Sequence, residues 1–218
     1  VIQAFQVGEF INSGKSHTTV TYEKLLETVL SKNIRYIEPS AGDMINLDSE
    51  VKTQVLAVDA STSNNNDASI VLKLTYKNVS FLLMGDADTG VEERVAKAYN
   101  VSATILKAGH HGSSTSSSLS FLQKVKPEAI VLSYAQDNSY GHPHKEVMAN
   151  IKSIGTKAYA TAQDGTIVVT TNGQTYSINA KEFIVPTTKP TGNVDSGTYV
   201  IPGAPIAFKN CTEMRKYY

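Results

Sequence analysis

Two strand-like runs joined by only two residues constrain this chain more than any other feature. Ser69–Tyr76 and Val79–Met84 are rich in valine, isoleucine, leucine and aromatic residues, and Lys77-Asn78 alone separates them. So short a connection permits an antiparallel hairpin and excludes a crossover. After Met84 the pattern changes to alternation. A helix is expected at about 90–99, a strand at Ala103–Leu106, a helix at about 117–124, a buried strand at Ala129–Ser133, a helix carrying Val147, Met148, Ile151 and Ile154, and a strand at Lys157–Ala160. Antiparallel hairpins followed by strand–helix alternation give a layered α/β architecture with helices on a sheet.

The flanks follow the same grammar. Tyr22, Leu25, Leu26, Val29 and Leu30 form one apolar stripe over a helix at Val20–Lys32, with Thr19 or Thr21 as cap and Asn33 as terminator. Lys52–Val58 reads as a further strand and Ser61–Asp67 as a polar loop. A second hairpin, Thr166–Thr171 with Gln174–Ile178, turns at Asn172-Gly173. Val1–Phe5 reads as the tail of a helix already under way, without a signal peptide, so a fragment or processed product is expected. From Val185 to Pro205 the composition becomes Pro, Thr, Gly and Ser, which is that of an extended linker. The expected organisation is therefore a domain over residues 1–182, a linker over 183–206 and the start of another module over 207–218.

Charge excludes one class of function. Lys+Arg and Asp+Glu both number 20, for a formal net charge of 0, so bulk positive charge does not hold this chain on a nucleic acid. The longest apolar run, Phe81–Met84, is far short of the roughly 18 residues a membrane helix requires. The single cysteine, Cys211, is a free thiol or has its partner past Tyr218.

Histidine carries the chemistry. Four of the five histidines fall in His110-His111 and His142-Pro143-His144, each in a loop directly after a buried strand, and Asp86 follows a third strand through Gly85. The C-terminal ends of strands in α/β proteins gather ligands. A carboxylate with imidazoles suits zinc, manganese or iron, and the same set suits a phosphate. Each part also has a plainer reading: Asp86 as a turn or helix cap, the histidines as solvated loop residues, Asp164-Gly165 as a turn. Ser113–Ser118 is a polar loop and capping segment, or a donor set for a phosphate. Lys107 is a surface lysine with a buried stem, or a charge partner for an anionic substrate. His17 stands apart. No nucleophile elbow, P-loop or dinucleotide fingerprint occurs.

Phe81-Leu-Leu-Met-Gly-Asp-Ala87, Leu106-Lys-Ala-Gly-His-His-Gly-Ser-Ser114 and Tyr140-Gly-His-Pro-His144, in this order, resemble the metallo-β-lactamase-fold hydrolases of the competence-protein (ComEC/Rec2-like) group. The resemblance runs from about Ile2 to Ala180. It implies an αββα sandwich with two divalent transition-metal ions, zinc or manganese, that activate a bridging water, and phosphodiester substrates that include DNA. Carried onto this chain, Asp86 matches the metal-bridging carboxylate and His110 or His111 the late metal-ligand histidine. His142 and His144 match the Gly-His-Pro-His loop, assigned to the scissile phosphate or the transition state, with Ser113 and Lys107 as substrate-binding candidates.

The early His/Asp-x-His/Asp-x-Asp-His ligand cluster of that fold does not occur here. The family places it before the segment that starts at Val1, so the resemblance implies a missing N-terminal half and an exposed inner sheet face. Two or three ligands alone do not build a tight dinuclear site. The tail Phe208-Lys-Asn-Cys-Thr-Glu-Met-Arg-Lys-Tyr-Tyr218 resembles the opening of an excalibur-type extracellular calcium-binding module. That resemblance implies a calcium site and a cysteine partner for Cys211 beyond the chain, and a secreted or surface location. The expected function is a metal-dependent hydrolase, a phosphodiesterase or nuclease acting on an extracellular phosphodiester. The alternatives are a degenerate binding module for nucleic acid or cell-wall polymer, and the corresponding domain of a DNA-uptake protein.

Overall fold

The computed structural model describes residues 2–183. Cys211, the excalibur-like tail and, apart from Phe183, the expected linker lie outside the described residues. Seven strands form one mixed sheet in sequential order: β3 (Met44–Asp48), β4 (Val51–Ala57), β5 (Val71–Tyr76), β6 (Val79–Leu83), β7 (Ile105–Lys107), β8 (Ala129–Leu132) and β9 (Lys157–Ala160). Pairing is antiparallel from β3 to β6 and parallel from β6 to β9. The switch falls where the sequence changes from hairpins to alternation.

The parallel half requires crossovers, and three helices supply them: α2 (Thr89–Ala98), α3 (Leu119–Val125) and α4 (Lys145–Ser153). Their ends obey local chemistry. Asp88 Oδ1 accepts from the backbone N–H groups of Gly90 (2.8 Å) and Val91 (3.1 Å) to cap α2. Ser118 caps α3, and Lys126 ends it in the left-handed conformation just before Pro127. The helices bury Val91, Val95, Phe121, Leu122, Val147 and Ile151 against Leu82, Leu106, Ile130 and Leu132, which share one sheet face. Phe183 packs on the same cluster.

The opposite sheet face is different. Leu72, Leu83, Lys107, Val131 and Tyr159 lie in one register row across β5 to β9, with Leu74 and Phe81 beside them, and all are only half-buried. A strand face carrying leucine, phenylalanine and valine is built to be covered.

Several elements depart from the sequence reading. Three strands lie outside its expectations: β1 (Glu9–Ile11), β2 (Arg35–Ile37) and β3. The first two pair with each other in parallel, while β3 joins the main sheet through β4. Their exposed, mixed residues lack the apolar run that marks a strand. The helix tail expected at Val1–Phe5 is not formed: residues 2–4 make a turn, with Phe5 68% exposed and no apolar face to bury. The expected α1 (Val20–Ser31) is present, capped by Thr19 and followed by left-handed Asn33, yet among its residues only Val29 is buried and Leu30 is 79% exposed. The turn at Asp164-Gly165 closes a single-turn helix, α5 (Thr161–Asp164), and the last hairpin pairs β10 (Val169–Thr171) with β11 (Tyr176–Ile178).

Candidate functional site

The site begins at the C-terminal end of β6. Gly85 has φ of +58°, and a Cβ there would stand 2.7 Å from the Cβ of Ser69, so only glycine lets this turn press against the loop before β5. The turn is held from three sides. Ser69 Oγ accepts from the Asp86 N–H at 2.9 Å, while the Gly85 carbonyl accepts from Lys107 Nζ at 2.9 Å and from the His110 N–H at 3.0 Å. The Asp86 carboxylate is thereby presented, 38% exposed, at the edge of a cleft.

At the end of β7 the chain makes a 3-10 turn, Gly109–Gly112, in which His110 (φ 42°) and His111 (φ 57°) are both left-handed. That conformation is uncommon for non-glycine residues and concentrates at functional sites. It sends the two imidazoles apart. His111 Nδ1 lies 2.6 Å from the Ser133 carbonyl, an acceptor, so this nitrogen carries the proton. Its Nε2 is then the ring nitrogen turned toward Asp86, 3.5 Å from Oδ1. His110 turns the other way, with Nδ1 3.2 Å from Thr115 Oγ1. Of the two histidines between which the sequence could not choose, the structure brings His111 to Asp86.

The third strand end, after β8, supplies His142 and His144. Asn138 accepts from the His142 N–H (2.9 Å) and donates to the His142 carbonyl (2.9 Å), so it fixes the backbone of this loop; the His142-Pro143 bond is cis. His142 sits at the centre of an aromatic group, with ring centroids 5.6 Å from His110, 6.1 Å from His111, 5.0 Å from His144 and 5.6 Å from Tyr140. Loss of solvation first, and then the neighbouring imidazoles, hold His142 below the usual histidine value, so its ring favours the neutral form. No side chain or backbone group among the described residues bonds to its ring nitrogens.

His144 has no such freedom. Its Nδ1 accepts from the Ser114 N–H at 2.7 Å, and its Nε2 is 3.2 Å from the Tyr140 carbonyl. Its own N–H donates to the Gly112 carbonyl at 2.9 Å. His144 therefore ties the two histidine loops together. Ser113, expected as a donor to substrate, is 5% exposed, and its Oγ accepts from the N–H and hydroxyl of Thr115. Lys107 is half-buried with its ammonium on the Gly85 carbonyl; burial lowers its pKa, and the nearby Asp86 opposes that shift.

Some supporting residues gave no sequence signal. Ser69 reads in sequence as the first residue of a strand, Thr115 as one hydroxyl among six in the serine loop and Asn138 as an ordinary loop residue, until the fold gives each its partner. Glu92 is an acidic residue in the first turn of α2, yet it is 1% exposed and accepts from the N–H groups of Ser117 and Ser118 (3.0 Å to the latter), which anchors the serine loop to α2.

The donor chemistry bears on a metal. A ring nitrogen and a carboxylate oxygen facing each other at 3.5 Å are bridged by a proton on the nitrogen or by a cation, and two ligands each about 2.0–2.2 Å from one ion stand roughly 3–3.5 Å apart. Asp86 and His111 thus fit as a partial donor set. Among the described residues no group of three or more His, Cys, Asp or Glu side chains is placed to hold an ion. No helix of the described residues is long and apolar enough to cross a membrane.

Comparison with known proteins adds relatives. ComE operon protein 3 of Bacillus subtilis is 30% identical over 147 residues, covering 66% of this chain and 19% of that protein. Competence protein ComA of Neisseria gonorrhoeae is 37% identical over 106 residues, 48% of this chain and 15% of that protein. Recombination protein 2 of Haemophilus influenzae is 32% identical over 107 residues, 49% of this chain and 13% of that protein. The chain thus spans less than a fifth of the length of these relatives. A solved structure from Parabacteroides distasonis, whose name gives a metal-dependent hydrolase activity as provisional, aligns over 71% of this chain and 64% of its own with a TM-score of 0.43 and 12% identity. No protein-family model matches the chain.

Proposed function

We propose that this chain is part of a metal-dependent phosphodiester hydrolase, acting on DNA or a related polymer at the cell envelope. The observation that carries the reading is the Asp86–His111 pair. His111 donates its Nδ1–H to the Ser133 carbonyl and turns Nε2 toward a carboxylate 3.5 Å away, an arrangement that suits a divalent cation. Similarity to relatives named as a ComE operon protein, a competence protein and a recombination protein supports a nucleic-acid substrate.

Asp86 and His111 would hold the ion, zinc or manganese, and other ligands would have to come from outside this set. When bound, it would supply Lewis-acid polarisation of a phosphoryl oxygen. The chain's own residues do the rest. Neutral His142, with unengaged ring nitrogens above the pair, donates a hydrogen bond to charge developing on the phosphoryl group. His144 acts on the site through position, by holding the His142 loop against the Gly109–Gly112 turn. Lys107 holds Asp86 in place through Gly85 and adds positive charge under the cleft.

The test is calorimetric titration of the full chain with Zn²⁺ and Mn²⁺, followed by hydrolysis of a chromogenic phosphodiester with each metal. Metal binding that is lost in Asp86→Ala and His111→Ala but retained in His110→Ala supports the assignment. Metal binding or hydrolysis that is unchanged in Asp86→Ala and His111→Ala overturns it. The second reading, a non-catalytic nucleic-acid binding module, is favoured by the lack of a three-residue metal group among the described residues. It predicts oligonucleotide binding that is unchanged in Asp86→Ala.

A further inference from the structure

Beside the Asp86–His111 pair lies a cleft of 670 Å³, lined in part by Tyr134, Asn138, Tyr140, His142, Thr161 and Thr166. Its volume is in the range that takes a nucleotide-sized ligand. One wall is a stack of three rings. Tyr140 lies on His142 with centroids 5.6 Å apart and planes 19° apart, and His142 lies on His111 at 6.1 Å and 21°. The stack starts at the residue that faces Asp86 and ends at Tyr140, which is 76% exposed. A tyrosine this exposed in the middle of a domain loop leaves the ring face away from His142 in water. Its backbone is not free to turn away, because the Tyr140 carbonyl is engaged by His144 Nε2 at 3.2 Å.

We propose that this cleft seats an unpaired nucleobase, stacked on Tyr140, while the adjoining phosphodiester lies at Asp86 and His111. The inference deepens the phosphodiester reading and rests on it. The stack extends from the reacting end outward, so a base lying on it continues the same column of flat rings. Ser133, Tyr134 and Thr166 line the cleft, and their hydroxyls make no hydrogen bond among the described residues. A hydroxyl both donates and accepts, so these groups serve any base edge, and stacking is equally tolerant of sequence. Charge points the same way. With a formal net charge of 0, the chain has no bulk attraction for phosphates, and the base must supply much of the binding. A base inside a duplex has both faces covered by its neighbours, so the cleft selects single strands and frayed ends.

The experiment compares three ligands on the full chain, with chelator present to prevent turnover: a short oligothymidylate, its abasic counterpart of equal length, and the corresponding duplex. A 2-aminopurine version reports stacking directly by quenching. The single strand is expected to bind about tenfold or more tighter than the abasic strand or the duplex, the scale of one base–aromatic stack. Tyr140→Leu is expected to reduce single-strand affinity to the abasic level and abolish the quenching, while Tyr140→Phe retains both. Equal binding of abasic and base-bearing strands, or no effect of Tyr140→Leu, overturns the stacking proposal and leaves the phosphodiester reading standing. Failure of every oligonucleotide to bind overturns the stacking proposal, and the phosphodiester reading then stands or falls on the metal titration and hydrolysis assay.

Discussion

Gly112→Ala separates the two histidine loops, and its effect has two parts that can be measured apart. Gly112 has φ of +84°, where an alanine costs about 1–2 kcal/mol from the left-handed backbone alone. The added Cβ would also stand 2.8 Å from Pro143 Cβ and 3.1 Å from Leu132 Cδ2. Leu132 is fully buried, so it has no room to retreat, and relief must come from the Pro143 loop. Overpacking of this kind costs roughly 1–3 kcal/mol more. Gly155 supplies the control: its φ is +67°, and a methyl added there would meet nothing within 4 Å. Gly155→Ala should therefore lose about 1–2 kcal/mol and Gly112→Ala about 2–5, read from urea unfolding midpoints at constant slope. Only Gly112→Ala should also speed amide exchange at Ser114 and His144, whose N–H groups bridge the loops. Equal losses in the two variants would show that contact with Pro143 does not set the spacing of the site.

Three other variants probe the same geometry. Burial holds the Glu92 carboxyl above the usual carboxylate range, so the folded state binds its proton more tightly than the unfolded chain does. The stability it contributes is full below the unfolded value and is lost as pH rises through the folded one, so Glu92→Gln should flatten the stability curve above the usual carboxylate range, and an unchanged slope would contradict this. His142 and His144 should behave oppositely. His144→Leu removes the acceptor for Ser114 N–H and should lower stability by about 0.5–1.5 kcal/mol, whereas His142→Leu breaks no hydrogen bond of the ring and should reduce phosphodiester hydrolysis at near-constant stability. Matched stability losses in the two variants would argue against the division of roles.

Much of the architecture is legible in the sequence because it rests on local rules. The hairpin at Lys77-Asn78, the change to parallel pairing after Met84 and the three crossover helices all follow from connection length and apolar period. The strands that escape are those whose residues carry no such pattern. Glu9–Ile11 and Arg35–Ile37 are short and exposed, and they exist because each supplies the other's backbone partners. The stripe on α1 marks a helix face but not a half-exposed one, since amphipathic spacing specifies a helix and says nothing of how completely its face is covered.

The same boundary between local and long-range information runs through the site. Asp86, His111 and His142 stand out in sequence because their residue types are chemically unusual at strand ends. What each ring can do is decided by a partner elsewhere in the chain: Ser133 for His111, Thr115 for His110, Ser114 and Tyr140 for His144. His110 and His111 are adjacent and chemically identical, yet left-handed backbone at both positions gives them different neighbours and only one faces Asp86. His142 and His144 differ by whether their ring nitrogens are already engaged. A histidine's place in the sequence identifies it as a candidate, but its hydrogen-bond partner assigns the tautomer, and the tautomer determines whether a lone pair is left to hold a cation, accept a proton or bind nothing.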